Sequence, residues 1–152
     1  MHNFFRDGWP AVLFLLAAIM YVVGVYWWRV HTLRNLALRW NLSYRGKELP
    51  GKFPMDRRQF CFPANHFKKI LHVVGGVCNG RKVLIIDVIA GTGKGIYVTI
   101  FAVESATNPF EDEPAPWWLV SSNGWFALWR TRFWQVPWTM NISQIEERLN
   151  RL

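Results

Sequence analysis

Cysteine is scarce in this chain of 152 residues: only Cys61 and Cys78 are present, too few for the dense disulfide framework of a small secreted domain. Acids are scarce as well, 10 against 18 lysines and arginines, which leaves a net charge of +8 and a pI near 10. That imbalance points to an anionic neighbour, either nucleic acid or a phospholipid surface. Charged residues make up 18% of the chain and hydrophobic ones 51%, a composition too apolar for disorder and unusual for a plain soluble domain. The length has room for one domain of ordinary size and one appendage, and excludes a multidomain machine.

Charge is absent altogether from Gly8 to Trp28, 21 consecutive positions. A helix rises about 1.5 Å per residue, so about 20 residues cover the roughly 30 Å of hydrocarbon in a bilayer. Pro10 suits a first helical turn, and Trp9 at one end with Tyr26, Trp27 and Trp28 at the other match interfacial aromatic belts. The stretch lacks the basic start and small-residue cleavage site of a signal peptide, and it lacks the polar face of a core helix. A transmembrane helix is therefore expected within residues 1–28. Arg6 and Asp7 offset each other before it, whereas Arg29, Arg34, Arg39, Arg45 and Lys47 follow it with no acid until Glu48. Positive charge stays on the cytoplasmic side, which predicts the N-terminus outside and the remaining domain inside, at the inner membrane. Between Arg29 and Lys94, 13 lysines and arginines face three acids, Glu48, Asp56 and Asp87. Attraction to an anionic leaflet, about 1 kcal/mol per residue near the surface, accounts for this charge without nucleic acid.

Residues 29–45 read as a basic juxtamembrane helix, with Val30, Leu33, Ala37 and Trp40 at helical spacing, either continuing the span or turning onto the membrane surface; Asn41 breaks the pattern. Residues 46–152 read as a cytoplasmic α+β domain. Gly46 to Pro63 is a long connection. Three strands follow, 69–78, 81–90 and 96–105, joined by Asn79-Gly80 and by Gly91-Thr92-Gly93-Lys94-Gly95 as tight reversals. In the second strand Val83, Ile85, Asp87 and Ile89 share one face and Leu84, Ile86, Val88 and Ala90 the other, so that strand is central. Another hairpin turns at Asn123-Gly124. A C-terminal helix begins at a Ser143/Glu146 capping box, with Ile142, Ile145, Leu149 and Leu152 inward and Glu147, Arg148 and Arg151 outward. The predicted fold is α+β: an N-terminal transmembrane helix, then an antiparallel sheet of about five strands with helices on one face.

Catalytic motifs are missing. Gly91–Gly95 lacks the first glycine, the Ser or Thr after lysine and the following helix of a P-loop. Cys61, His66, His72 and Cys78 have no common zinc spacing, and His72 and Cys78 on one strand would lie about 20 Å apart even with a bulge at Gly75-Gly76. The span holds no His, Cys or charged group for haem ligation or proton relay. Neither G-x-S-x-G nor HExxH occurs, and Glu111, Asp112 and Glu113 fall in a Pro-flanked loop that reads as solvated. Asp87 is a lone acid in an apolar strand, a type of residue usually hydrogen-bonded at a sheet end or edge. No cofactor or metal is expected.

The anomaly is aromatic. Six of the 10 tryptophans, Trp117, Trp118, Trp125, Trp129, Trp134 and Trp138, fall within 22 residues together with Arg130 and Arg132. Such a cluster serves as core, as partner or headgroup contact, or as a stacking platform for single-stranded nucleic acid; membrane anchoring argues against the last. The expected contact residues are Trp27, Trp28, Arg29, Trp125, Trp129, Arg130, Arg132, Trp134 and Trp138, with membrane lipids and other subunits as partners and no nucleic acid.

The span, the short basic helix ending in Trp40-Asn41-Leu42-Ser43-Tyr44 and the β-rich domain resemble those of uncharacterised bacterial single-span membrane proteins. The resemblance runs from the span through the three-strand meander and implies a cytoplasmic domain without known catalytic residues. The expected function is a non-enzymatic accessory subunit of a larger bacterial membrane complex, respiratory or photosynthetic by analogy. The alternative is a stand-alone membrane-anchored module that binds a lipid surface or a ligand; an enzyme with an unrecognised site is a third reading.

Overall fold

The computed structural model describes residues 9–50, 67–90, 96–113, 118–122, 124–129 and 140–152. Helix α1 (Trp9–Arg39) is followed by β1 (Ser43–Gly46), β2 (Phe67–Cys78), β3 (Arg81–Ala90), β4 (Ile96–Glu104), β5 (Trp118–Ser122), β6 (Trp125–Trp129) and helix α2 (Ile142–Asn150). The arrangement is α+β, as the residue pattern predicts. The chain divides into two units, residues 1–32 and 33–152.

The first unit is helix throughout its described part. Its residues are apolar and exposed on every side from Trp9 to Val23, so no stripe separates a core face from a water face. α1 is the one described helix long and apolar enough to cross a membrane. At about 1.5 Å per residue its 31 residues reach about 46 Å. That exceeds a bilayer core and leaves the last turns for another role.

Those last turns belong to the second unit. Leu33, Leu36 and Ala37 recur at helical spacing and are buried in the domain core, with Trp40 half-buried against it. This segment therefore caps the sheet. α1 stops in a Schellman motif: Asn41 adopts φ 53°, its N–H donates to Leu38 O, and Leu42 N–H donates to Ala37 O at 2.8 Å. Asparagine tolerates this left-handed conformation better than most residues. Leu42 then turns into the same core as Ala37. The Trp-Asn-Leu-Ser-Tyr run is thus a helix stop plus a strand start.

The six strands form one antiparallel sheet in the order β1-β2-β3-β4-β6-β5. β1, only four residues long, is the strand that residue patterning misses. Asn79 and Gly80 both have positive φ, as a type I′ hairpin requires. β3 is central and buried on both faces, as its double apolar parity predicts. One face packs Val74, Val83, Ile85, Phe101, Val103 and Leu128 beneath the end of α1 and beneath Ile145 and Leu149 of α2. The other face carries Leu84, Ile86, Val88, Val98, Ile100, Ala127, Trp125 and Trp129.

The register of β2 against β3 is regular at Gly75-Gly76 and shifts instead between Phe67 and Lys69 and between Ile70 and His72. The glycines serve close approach. A Cβ on Gly75 would come within 2.5 Å of Leu84 Cδ2, and one on Gly76 within 2.9 Å of Leu42 Cδ2. α2 also differs in detail. Asn141, not Ser143, is its N-cap, in a reciprocal box with Gln144. Arg148, expected at the surface, is buried; its guanidinium bonds Glu113 at 2.8 Å and Gln144 O at 2.9 Å. Glu113, expected in water, is covered with it.

Truncating Leu36, fully buried, to alanine is expected to destabilise the domain by about 2–5 kcal/mol. Leu38→Ala, at a residue 80% exposed, stays within about 0.5 kcal/mol of the wild type. Denaturant unfolding of the two variants in detergent checks both values.

Candidate functional site

Three buried polar residues of the sheet and the half-buried Tyr44 form a row across four strands. A regular strand would place His72 on the same face as Ile70, which packs against the Trp129 side. The two-against-one bulge at Leu71 reverses that parity. His72 thereby pairs with Asp87 of β3, and Asp87 pairs in turn with Thr99 of β4. All three are fully buried on the helix-covered face. Thr99 Oγ1 donates to Asp87 Oδ1 at 2.6 Å. β1 adds Tyr44, whose hydroxyl lies 2.9 Å from His72 Nδ1, and the Arg34 guanidinium sits 5.1 Å from the centre of the Tyr44 ring, a cation–π distance.

One correction follows for the residues singled out by chemistry. Asp87 lies in the middle of the central strand, not at a sheet end or edge. His72 and Cys78 do share a face, six residues apart along β2, but no group of three metal-ligating side chains occurs among the described residues. Cys61 and His66 lie outside those residues, as do the Gly91–Gly95 turn and Asn123. Burial holds the Cys78 thiol above its usual pKa, because thiolate is costly to desolvate; its Sγ sits 3.8 Å from Leu149 O.

What the row can do follows from its burial. Tyr44 is the member at the margin; His72, Asp87 and Thr99 have no measurable opening to solvent. The side-chain hydrogen bonds join β1 to β2 and β3 to β4, and a one-residue slip of β2 would move His72 off Tyr44 and Asp87 into an apolar face. The row specifies register. A separate cleft of about 260 Å³ lies against α2, lined by Pro109, Phe110, Asp112, Glu113, Arg148 and Arg151 among others. Its buried cation already serves Glu113 and Gln144. Burial lowers the Arg148 pKa, and Glu113 opposes that shift.

Of the expected contact residues, Trp27 and Trp28 are exposed near the end of the apolar stretch. Arg29, Trp125 and Trp129 are buried. Trp125 and Trp129 fill the second sheet face, where alternate β6 residues point inward. Arg130, Arg132, Trp134 and Trp138 lie outside the described residues. Compared with protein-family models, with curated proteins and with solved structures, the chain matches none.

Thr99→Val, which leaves the Asp87 carboxyl with one donor fewer, is expected to cost about 1–3 kcal/mol. Tyr44→Phe is expected to cost about 1 kcal/mol. Thermal unfolding of the full chain in detergent measures both. In a Cys61→Ser background, Cys78 is expected to resist maleimide at pH 8 while folded, since a raised pKa keeps it a thiol, and to react once the domain is unfolded in urea.

Proposed function

We propose that the protein is a non-enzymatic, single-pass accessory subunit of a larger bacterial membrane complex, of respiratory or photosynthetic type. In this reading the N-terminus lies outside and the α+β domain sits at the cytoplasmic face of the inner membrane. The observation that carries it is α1: about twenty apolar residues exposed on every face, running without interruption into turns buried in the domain core. A helix built this way is soluble only if lipid or protein covers it. The charge asymmetry across the stretch, a balanced Arg6/Asp7 pair before it and five basic residues after it, supports the orientation. Binding of the polar row within the fold supports a scaffold over a reaction centre. Trp27 and Trp28 are the aromatic side chains left to meet headgroups or a neighbouring subunit.

Gentle detergent extraction followed by native mass measurement is the test. Comigration with a larger assembly is the expected result. Recovery as a free species of 17.9 kDa would sink the subunit reading and favour a stand-alone membrane-anchored module. Protease added outside sealed cells is expected to leave the domain intact.

A further inference from the structure

We infer that one end of the sheet is a binding surface for anionic phospholipid headgroups, built from Arg34, Arg45, Lys47 and Lys69. The inference rests on the single-pass reading above and adds the lipid chemistry and the residues that meet it.

Chain direction brings these four residues to one end. The chain enters the second unit at Leu33. After the reversal at Asn41, β1 runs back along the last turns of α1, which is why the Tyr44 ring lies against the Arg34 guanidinium. Arg45 and Lys47 lie further along the same path. β2 is antiparallel to β1 with Gly46 opposite Val73, so the residues before Val73, Lys69 among them, lie beyond Gly46 at this same end. All four cations are exposed. The strand end where the chain enters therefore collects basic residues from a helix and two strands that are up to 35 positions apart in sequence.

The opposite end differs in kind. There four described cations have a carboxylate, Arg39 with Glu146 and Lys82 with Glu104, both at 2.8 Å, Arg148 with Glu113, and Arg151 with Glu147, and only Arg81 takes part in no ion pair among the described residues. Among the described residues no ion pair involves Arg34, Arg45, Lys47 or Lys69, and Glu48 is the lone acid of the segment that carries Arg45 and Lys47. Unneutralised cations repel one another, and they persist at little cost where a counter-charge is supplied from outside. Arg34 follows Trp28 by six residues in the sequence, a basic position next to an apolar stretch of the kind drawn to an anionic leaflet. A membrane that holds the apolar part of α1 is thus the nearest source of anions.

The test uses the full chain in neutral detergent micelles, titrated with phosphatidylglycerol or phosphatidylcholine, with bound lipid counted by native mass. The wild type is expected to prefer phosphatidylglycerol by about tenfold or more, since each cation near an anionic headgroup layer contributes about 1 kcal/mol. The preference should fall toward parity in the double variant Lys47→Glu/Lys69→Glu and in 0.5 M salt, and persist in Arg81→Glu/Lys82→Glu at the other end. Circular dichroism confirms folding of both variants, whose sites are at the surface. Equal affinity for the two lipids overturns the inference, as does a preference that survives Lys47→Glu/Lys69→Glu or is lost equally in Arg81→Glu/Lys82→Glu. A free 17.9 kDa species that still selects phosphatidylglycerol would instead reject the subunit reading and leave the lipid surface standing.

Discussion

The structure depends on the burial of Leu33, Leu36 and Ala37 against the sheet. Two leucines and an alanine withdrawn from water are worth several kcal/mol at about 25 cal/mol per Å², on the scale of the whole stability of a small domain. Because these residues lie on the same helix as the apolar stretch, one element carries both core packing and a run long and apolar enough to cross a membrane. The Schellman stop at Asn41 then sends the chain back over the sheet. Leu42 completes the packing above Gly76, where only hydrogen leaves room for it.

Register is the second constraint. An antiparallel strand that is apolar on both faces slides easily in hydrophobic terms, because either parity buries comparable area. The polar row removes that degeneracy. His72, Asp87 and Thr99 align across β2, β3 and β4 in one pairing, and the bulge at Leu71 is what lets an apolar Ile70 and a polar His72 face opposite sides. Buried polar groups of this kind are costly unless matched. A device that selects one register out of several near-equal ones therefore explains their presence as well as a chemical role would.

The tryptophan content illustrates how composition and position separate. Ten tryptophans suggest a sticky exterior, yet Trp125 and Trp129 point inward because β6 alternates and its inward positions happen to be aromatic. Trp27 and Trp28 remain outside, where no sheet covers them. Likewise Glu113 and Arg148 read as solvated loop and helix surface, and burial together as an ion pair is a property of how α2 folds back on the 105–113 segment.

Residue patterning alone determined the long apolar helix, the three-strand meander with its Asn79-Gly80 turn, the central position of β3 and the C-terminal helix, because each rests on local periodicity or turn chemistry within a few residues. It could not reveal β1, a strand of four residues without a repeat, nor the bulge at Leu71, which leaves no local mark. The polar row was visible only as isolated residues, His72 and Asp87, with Tyr44 and Thr99 unremarked, since partners 12 and 28 positions away meet only when strands pair. Basic charge was legible as a total, whereas its collection at one sheet end came from the direction in which β1 returns along the helix, a decision made by tertiary packing.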